Sequence, residues 1–143
     1  MKKVVCTLLI ATMMALSVIP AYAADVPNLS SESTLSPNFI AIMSMSAGLD
    51  IKSSGKVTCS GLVTPSSRTY SAELTVSLQK STNNGWSTVR SWTATGEVYD
   101  GAYVDTHYYV TSGTYRVRST AKIYNSSGTL LETESMYSAE KTY

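Results

Sequence analysis

An all-β fold, a single seven-stranded antiparallel β-sandwich, is what this chain predicts past its N-terminal segment, and three observations carry that prediction. Apolar and polar residues alternate at period two in one segment after another. Turn residues separate those segments at a spacing near the roughly 8 to 12 residues of a sandwich or barrel, and no helical periodicity follows Ala23. Composition agrees: of the 120 residues after Ala23, 38 are Ser or Thr and nine are Tyr, which favour strands, turns and solvent faces.

Residues 1–23 read as a signal peptide. Lys2 and Lys3 start it, an apolar run extends from Val4 to Ile19, and Ala21-Tyr22-Ala23 forms the small-residue cleavage site. The run is shorter than the roughly 20 residues that span a bilayer. No cysteine follows it for lipid attachment and no second apolar run follows as an integral membrane anchor, so a secreted, extracellular protein is expected. Cleavage removes Lys2, Lys3 and Cys6, leaving nine basic residues against ten acidic ones and Cys59 as the single thiol. A slightly acidic chain argues against nucleic acid as a partner, and one cysteine excludes an internal disulfide.

Residues 24–38, ADVPNLSSESTLSPN, carry two prolines and no apolar period and are expected as a flexible leader; the sandwich domain should occupy 39–143. Phe39, Ala41, Met43, Met45, Ala47, Leu49 and Ile51 share the parity of a first strand. After the Lys52 to Gly55 turn, Val57, Cys59, Gly61 and Val63 face inward on a second. The third has Tyr70, Ala72, Leu74, Val76 and Leu78 on one face. Asn83-Asn84-Gly85 is hairpin chemistry and leads into a fourth, where Trp86, Trp92 and Ala94 share a parity with Thr88 and Arg90 while Val89 opposes them. That mixed pattern suits a bulge or an edge strand. On the fifth, Ala102, Val104, Thr106, Tyr108 and Val110 should face inward and Tyr103, Asp105, His107 and Tyr109 outward. On the sixth, Tyr115, Val117, Ser119, Ala121 and Ile123 face inward, and a last strand follows the Asn125 to Gly128 turn, from about Thr129 to Ala139.

Gly113-Thr114-Tyr115-Arg116-Val117 resembles the tyrosine corner of immunoglobulin-like and fibronectin-like sandwiches, where the phenol bonds back to backbone. Val117 then stands where such domains place their second disulfide cysteine and Cys59 where they place the first. Both are structural residues in this reading. The whole layout, with KVTCSGLVT, a Trp-containing hairpin and YYVTSGTYRVRSTAKIY, resembles small secreted proteins of unknown function from Gram-positive bacteria. That resemblance implies no activity or site.

No catalytic, cofactor or metal motif is present. His107 has Asp105 two residues away on its strand face, but no nucleophile elbow accompanies them, so a solvent-facing histidine is expected. Cys59 shares the parity of Val57 and Val63 and is expected as a buried hydrophobe. Glu97, Asp100 and Asp105 match no calcium-loop spacing and read as turn carboxylates. Arg116, Arg118 and Lys122 form a cationic stripe that ordinary cross-strand pairs would satisfy, with Lys122 near Glu132 and Glu134 diagonal to the arginines. Trp86, Trp92, Tyr99, Tyr103 and Tyr109 are the aromatic set the fold explains least, and a surface formed by them could stack on sugars or anchor a protein. The expected function is therefore a secreted, non-enzymatic recognition or surface-associated module for a glycan or protein. The alternatives are a structural subunit assembling by edge-strand pairing and, with least in its favour, a small hydrolase.

Overall fold

The computed structural model describes residues 39–96 and 101–143; residues 1–38, where a signal peptide and leader are expected, and Glu97, Tyr99 and Asp100 lie outside them. Eight strands form two antiparallel sheets. The first contains β1 (Ile42–Ile51), β2 (Lys56–Pro65) and β5 (Ala102–Tyr109) in the order β1-β2-β5. The second contains β3 (Ser71–Thr82), β4 (Gly85–Gly96), β6 (Thr114–Tyr124) and β7 (Leu130–Tyr137) in the order β4-β3-β6-β7, and the two-residue β8 (Lys141–Thr142) pairs with β6. Seven long strands match the expected number. The expected final strand is β7, and β8 lies beyond its expected end, after Ser138, which bonds to Val117 in two different ways. Its hydroxyl accepts from the Val117 N–H at 2.9 Å while its own N–H donates to the Val117 carbonyl.

The sheets bury one core between them. Val57, Cys59 and Val63 of β2, Leu74, Val76 and Leu78 of β3, and Val117, Ala121 and Ile123 of β6 are all fully inaccessible, as the alternation predicts. Tyr115 is buried as well, and its hydroxyl donates to the Thr111 carbonyl at 2.7 Å, four residues upstream. That bond ties the β5–β6 connection to the start of β6. The Asn125 turn closes similarly, with the Asn125 side-chain oxygen accepting from the N–H groups of Ser127 and Thr129.

Alternation fails in three places, each at one extra residue in a strand at the edge of a sheet. In β1, Ile42 pairs Pro65 and Ser44 pairs Thr64, so Met43 is the bulged residue. Ile42 rather than Met43 enters the core; Met43 is 59% exposed. In β4, Leu78 pairs Arg90 and Gln79 pairs Thr88, which leaves Val89 over. In β7, Ile123 pairs Glu132 and Tyr124 pairs Leu130, which leaves Leu131 over.

The last bulge also corrects the expected ion pairs. It turns Glu132 and Glu134 to the parity of the core-facing residues, and Lys122 instead meets Glu73 at 2.8 Å across β3. The Glu132 carboxylate reaches the other sheet, where it accepts the N–H groups of Ile40, Ala41 and Ile42 at 3.2, 2.7 and 3.1 Å.

Candidate functional site

The aromatic set separates onto different faces. Six residues apart, Trp86 and Trp92 would share a face in a regular strand; the extra Val89 puts them on opposite ones. Trp92 pairs with core-lining Val76 and packs on the core, edge to face with Tyr108 of β5 at 6.4 Å between ring centroids. Trp86 pairs with Ser81 on the outer face of the four-stranded sheet. Tyr103 and Tyr109 project from the outer face of the three-stranded sheet, both exposed. Tyr108 keeps its inward parity but stands at the rim, 37% exposed. These rings therefore form no single surface.

A different cluster assembles around Trp86. Tyr115 and Val117 point into the core, so Arg116 and Arg118 between and beyond them point outward on β6. Pairing of Arg118 with Tyr137 brings the phenol of β7 onto the same face. The Arg116 guanidinium lies 4.2 Å from the centroid of Trp86 on one side and 4.2 Å from that of Tyr137 on the other. Its Nε donates to Gln79 Oε1 at 2.9 Å, and Gln79 is itself buried. Two rings and one hydrogen bond thus fix the guanidinium plane. Among the described residues no carboxylate pairs with Arg116 or Arg118, and the Arg118 Nε is buried without a hydrogen-bond partner.

The rest of this face is rich in hydroxyls. Ser91 and Ser77 bond at 2.8 Å, Thr93 and Thr75 at 3.0 Å, and Thr120 and Ser135 at 2.9 Å, in rows that cross the sheet. At its far end Glu73 neutralises Lys122, whose ammonium this hydrogen bond and charge hold above the usual lysine range. Uncompensated positive charge on the face is thereby confined to the arginine end.

The other candidates gather less. Cys59 is completely inaccessible, and burial pushes its thiol up to about 12. His107 is exposed, and no hydrogen bond joins it to Asp105 among the described residues. Asp105 lies on the same strand face as the Tyr103 phenol, which desolvation and this carboxylate together hold above the usual tyrosine range. No three His, Cys, Asp or Glu side chains come together as metal ligands among the described residues. An open depression beside the Met43 bulge is lined by Pro65, Ser67 and Arg68, where the Ser67 and Thr69 hydroxyls bond at 3.0 Å.

Tyr137 and Gln79 were not singled out by the sequence, and Arg116 and Arg118 were assigned to ordinary ladder pairs. The Arg118–Tyr137 register across the Asn125 hairpin would have joined them, once the Leu131 bulge was counted. Comparison with protein-family models, curated proteins and solved structures returns no match to the chain.

Proposed function

We propose that the protein is an exported, non-enzymatic recognition module that binds an acidic polysaccharide on the outer face of its four-stranded sheet. The observation that carries this reading is the Arg116 guanidinium held between Trp86 and Tyr137 with no carboxylate among the described residues to neutralise it. Rings present faces on which sugars stack, and a guanidinium fixed in orientation offers paired donors to a carboxylate or sulfate. Hydroxyl rows extend this surface into a polar strip suited to a chain of sugars. Residues 1–23 support export, and the exposed, isolated His107 favours binding over hydrolysis.

The framework is an immunoglobulin-like or fibronectin-like sandwich. Support comes from the order β1-β2-β5 against β4-β3-β6-β7, the Tyr115 corner and the placement of Cys59 and Val117 on core positions of β2 and β6. The chain's likeness to small secreted proteins of Gram-positive bacteria is consistent with a cell-surface polymer as ligand.

Affinity electrophoresis in gels containing polygalacturonate or dextran sulfate, with neutral dextran as control, tests the function. Acidic polymers should retard the protein. Trp86→Ala and Arg116→Ala should weaken this by about tenfold or more, while Trp92→Ala should leave it unchanged in the folded protein. Binding should also weaken as salt rises. Equal retardation by neutral dextran, no retardation at all, or full binding by Trp86→Ala would refute the proposal.

A further inference from the structure

The three-stranded and four-stranded sheets together have four edges, and three are visibly protected against pairing with another chain. β1 carries the Met43 bulge and has its first N–H groups occupied by Glu132; β4 carries the Val89 bulge and places Arg90 at a core-side position; β7 carries the Leu131 bulge and places Glu132 and Glu134 likewise. β5 has none of these devices. It pairs with β2 through eight consecutive residues without a shift, contains no proline, lysine or glycine, and among the described residues has no strand partner on its other side.

The sequence of this open edge is self-complementary about Thr106. When two copies of Ala102 to Val110 run antiparallel with Thr106 opposite Thr106, each Asp105 stands opposite His107 of the other copy, and each Tyr103 opposite Tyr109. Both of these pairs lie on the outer face, where all four residue types are exposed. On the inner parity Val104 meets Tyr108 and Ala102 meets Val110, apolar against apolar on either side of the central Thr106 pair.

We propose that β5 is a homodimerisation edge, joining two copies about a two-fold axis at Thr106 into one six-stranded sheet, β1-β2-β5-β5-β2-β1. Main-chain hydrogen bonds supply the adhesion, and the Asp105–His107 pairs select the register. A one-residue slip would bring the side chains of one copy onto the wrong face. The nearest other charged group on the paired strand is Lys56, opposite Tyr109, and Asp105 shares its strand face with the Tyr103 phenol while keeping acceptor capacity for a partner. A second copy fits this edge because the edge supplies both members of every pair.

Sedimentation equilibrium of the secreted protein, from micromolar to near-millimolar concentration, reads the assembly directly. A reversible monomer–dimer equilibrium is expected. His107→Asp sets like charges opposite one another and should weaken the dimer about tenfold or more, and the exchange Asp105→His with His107→Asp should restore it. Register is read separately: an equimolar mixture of Tyr103→Cys and Tyr109→Cys chains should oxidise to a mixed disulfide dimer, and neither variant alone should. A monomer over the whole range, a dimer indifferent to His107→Asp, or equal cross-linking by a single variant would each overturn the proposal. None of these readouts depends on ligand binding.

Discussion

Ser119 occupies an inward position on β6, fully buried, with its hydroxyl unpaired. Opposite it stands Gly61, where an added Cβ would come within 2.6 Å of the Ser119 oxygen and 2.5 Å of Val76. Here the sheets approach too closely for a side chain on β2. Gly61→Ala should therefore destabilise by about 1 to 3 kcal/mol through overpacking. Ser119→Ala removes an unsatisfied polar group and should raise stability by about 1 kcal/mol. Urea unfolding of both variants checks the pair, and a Ser119→Ala loss comparable to that of Gly61→Ala would contradict it. Cys59, two residues from Gly61, yields a pH prediction. Its thiol is neutral in the fold up to about 12, whereas in the unfolded chain it ionises from the ordinary 9.0. The burial contribution is thus whole below pH 9 and is lost as pH rises from there toward 12. At pH 10 the loss is about 1.4 kcal/mol. Cys59→Ala should flatten this alkaline decline, and the native thiol should resist alkylating reagents until the protein unfolds.

Among the elements, the interior strands and the edge strands differ in how much their residues reveal. On β2, β3 and β6 the parity of Val57, Leu74 and Ile123 fixes the core face, because a neighbour on each side prevents slippage. At Met43, Val89 and Leu131 the same rule misplaces residues. A bulge needs no special residue, so these apolar side chains read as ordinary strand positions while they reverse the face of everything beyond them. Both errors about the candidate site follow from that: Trp86 was grouped with Trp92, and Glu132 was assigned to Lys122. The fixed guanidinium of Arg116 was illegible for the further reason that it joins β4, β3, β6 and β7. Glu132 links the two edges that lie beside it, β7 and the start of β1. Glu132→Gln weakens three charge-assisted hydrogen bonds and should cost about 1 to 3 kcal/mol. Hydrogen exchange should find the amides of Ile40, Ala41 and Ile42 opening first, while those of β3 and β6 keep their protection.

For the whole molecule, the two sheets share one apolar layer, so neither sheet has a core of its own. Unfolding should be a single transition that circular dichroism and tryptophan fluorescence report at the same midpoint. In the three-stranded sheet β2 must pair with the distant β5, and β1 must find the late residue Glu132. Refolding should accordingly take milliseconds to seconds, as in other domains built on distant strand pairs. Stopped-flow fluorescence checks this, and microsecond refolding would indicate that local hairpins alone hold the fold.

The Glu132 clamp has a mechanical consequence. A pull transmitted through the residues before Phe39 enters the domain at Ile40, Ala41 and Ile42, whose three N–H groups converge on that one carboxylate. Bonds sharing an acceptor side chain bear the load together instead of opening one by one. The first strand is therefore fastened against tension from the N-terminal side, the direction from which a tethered leader would pull.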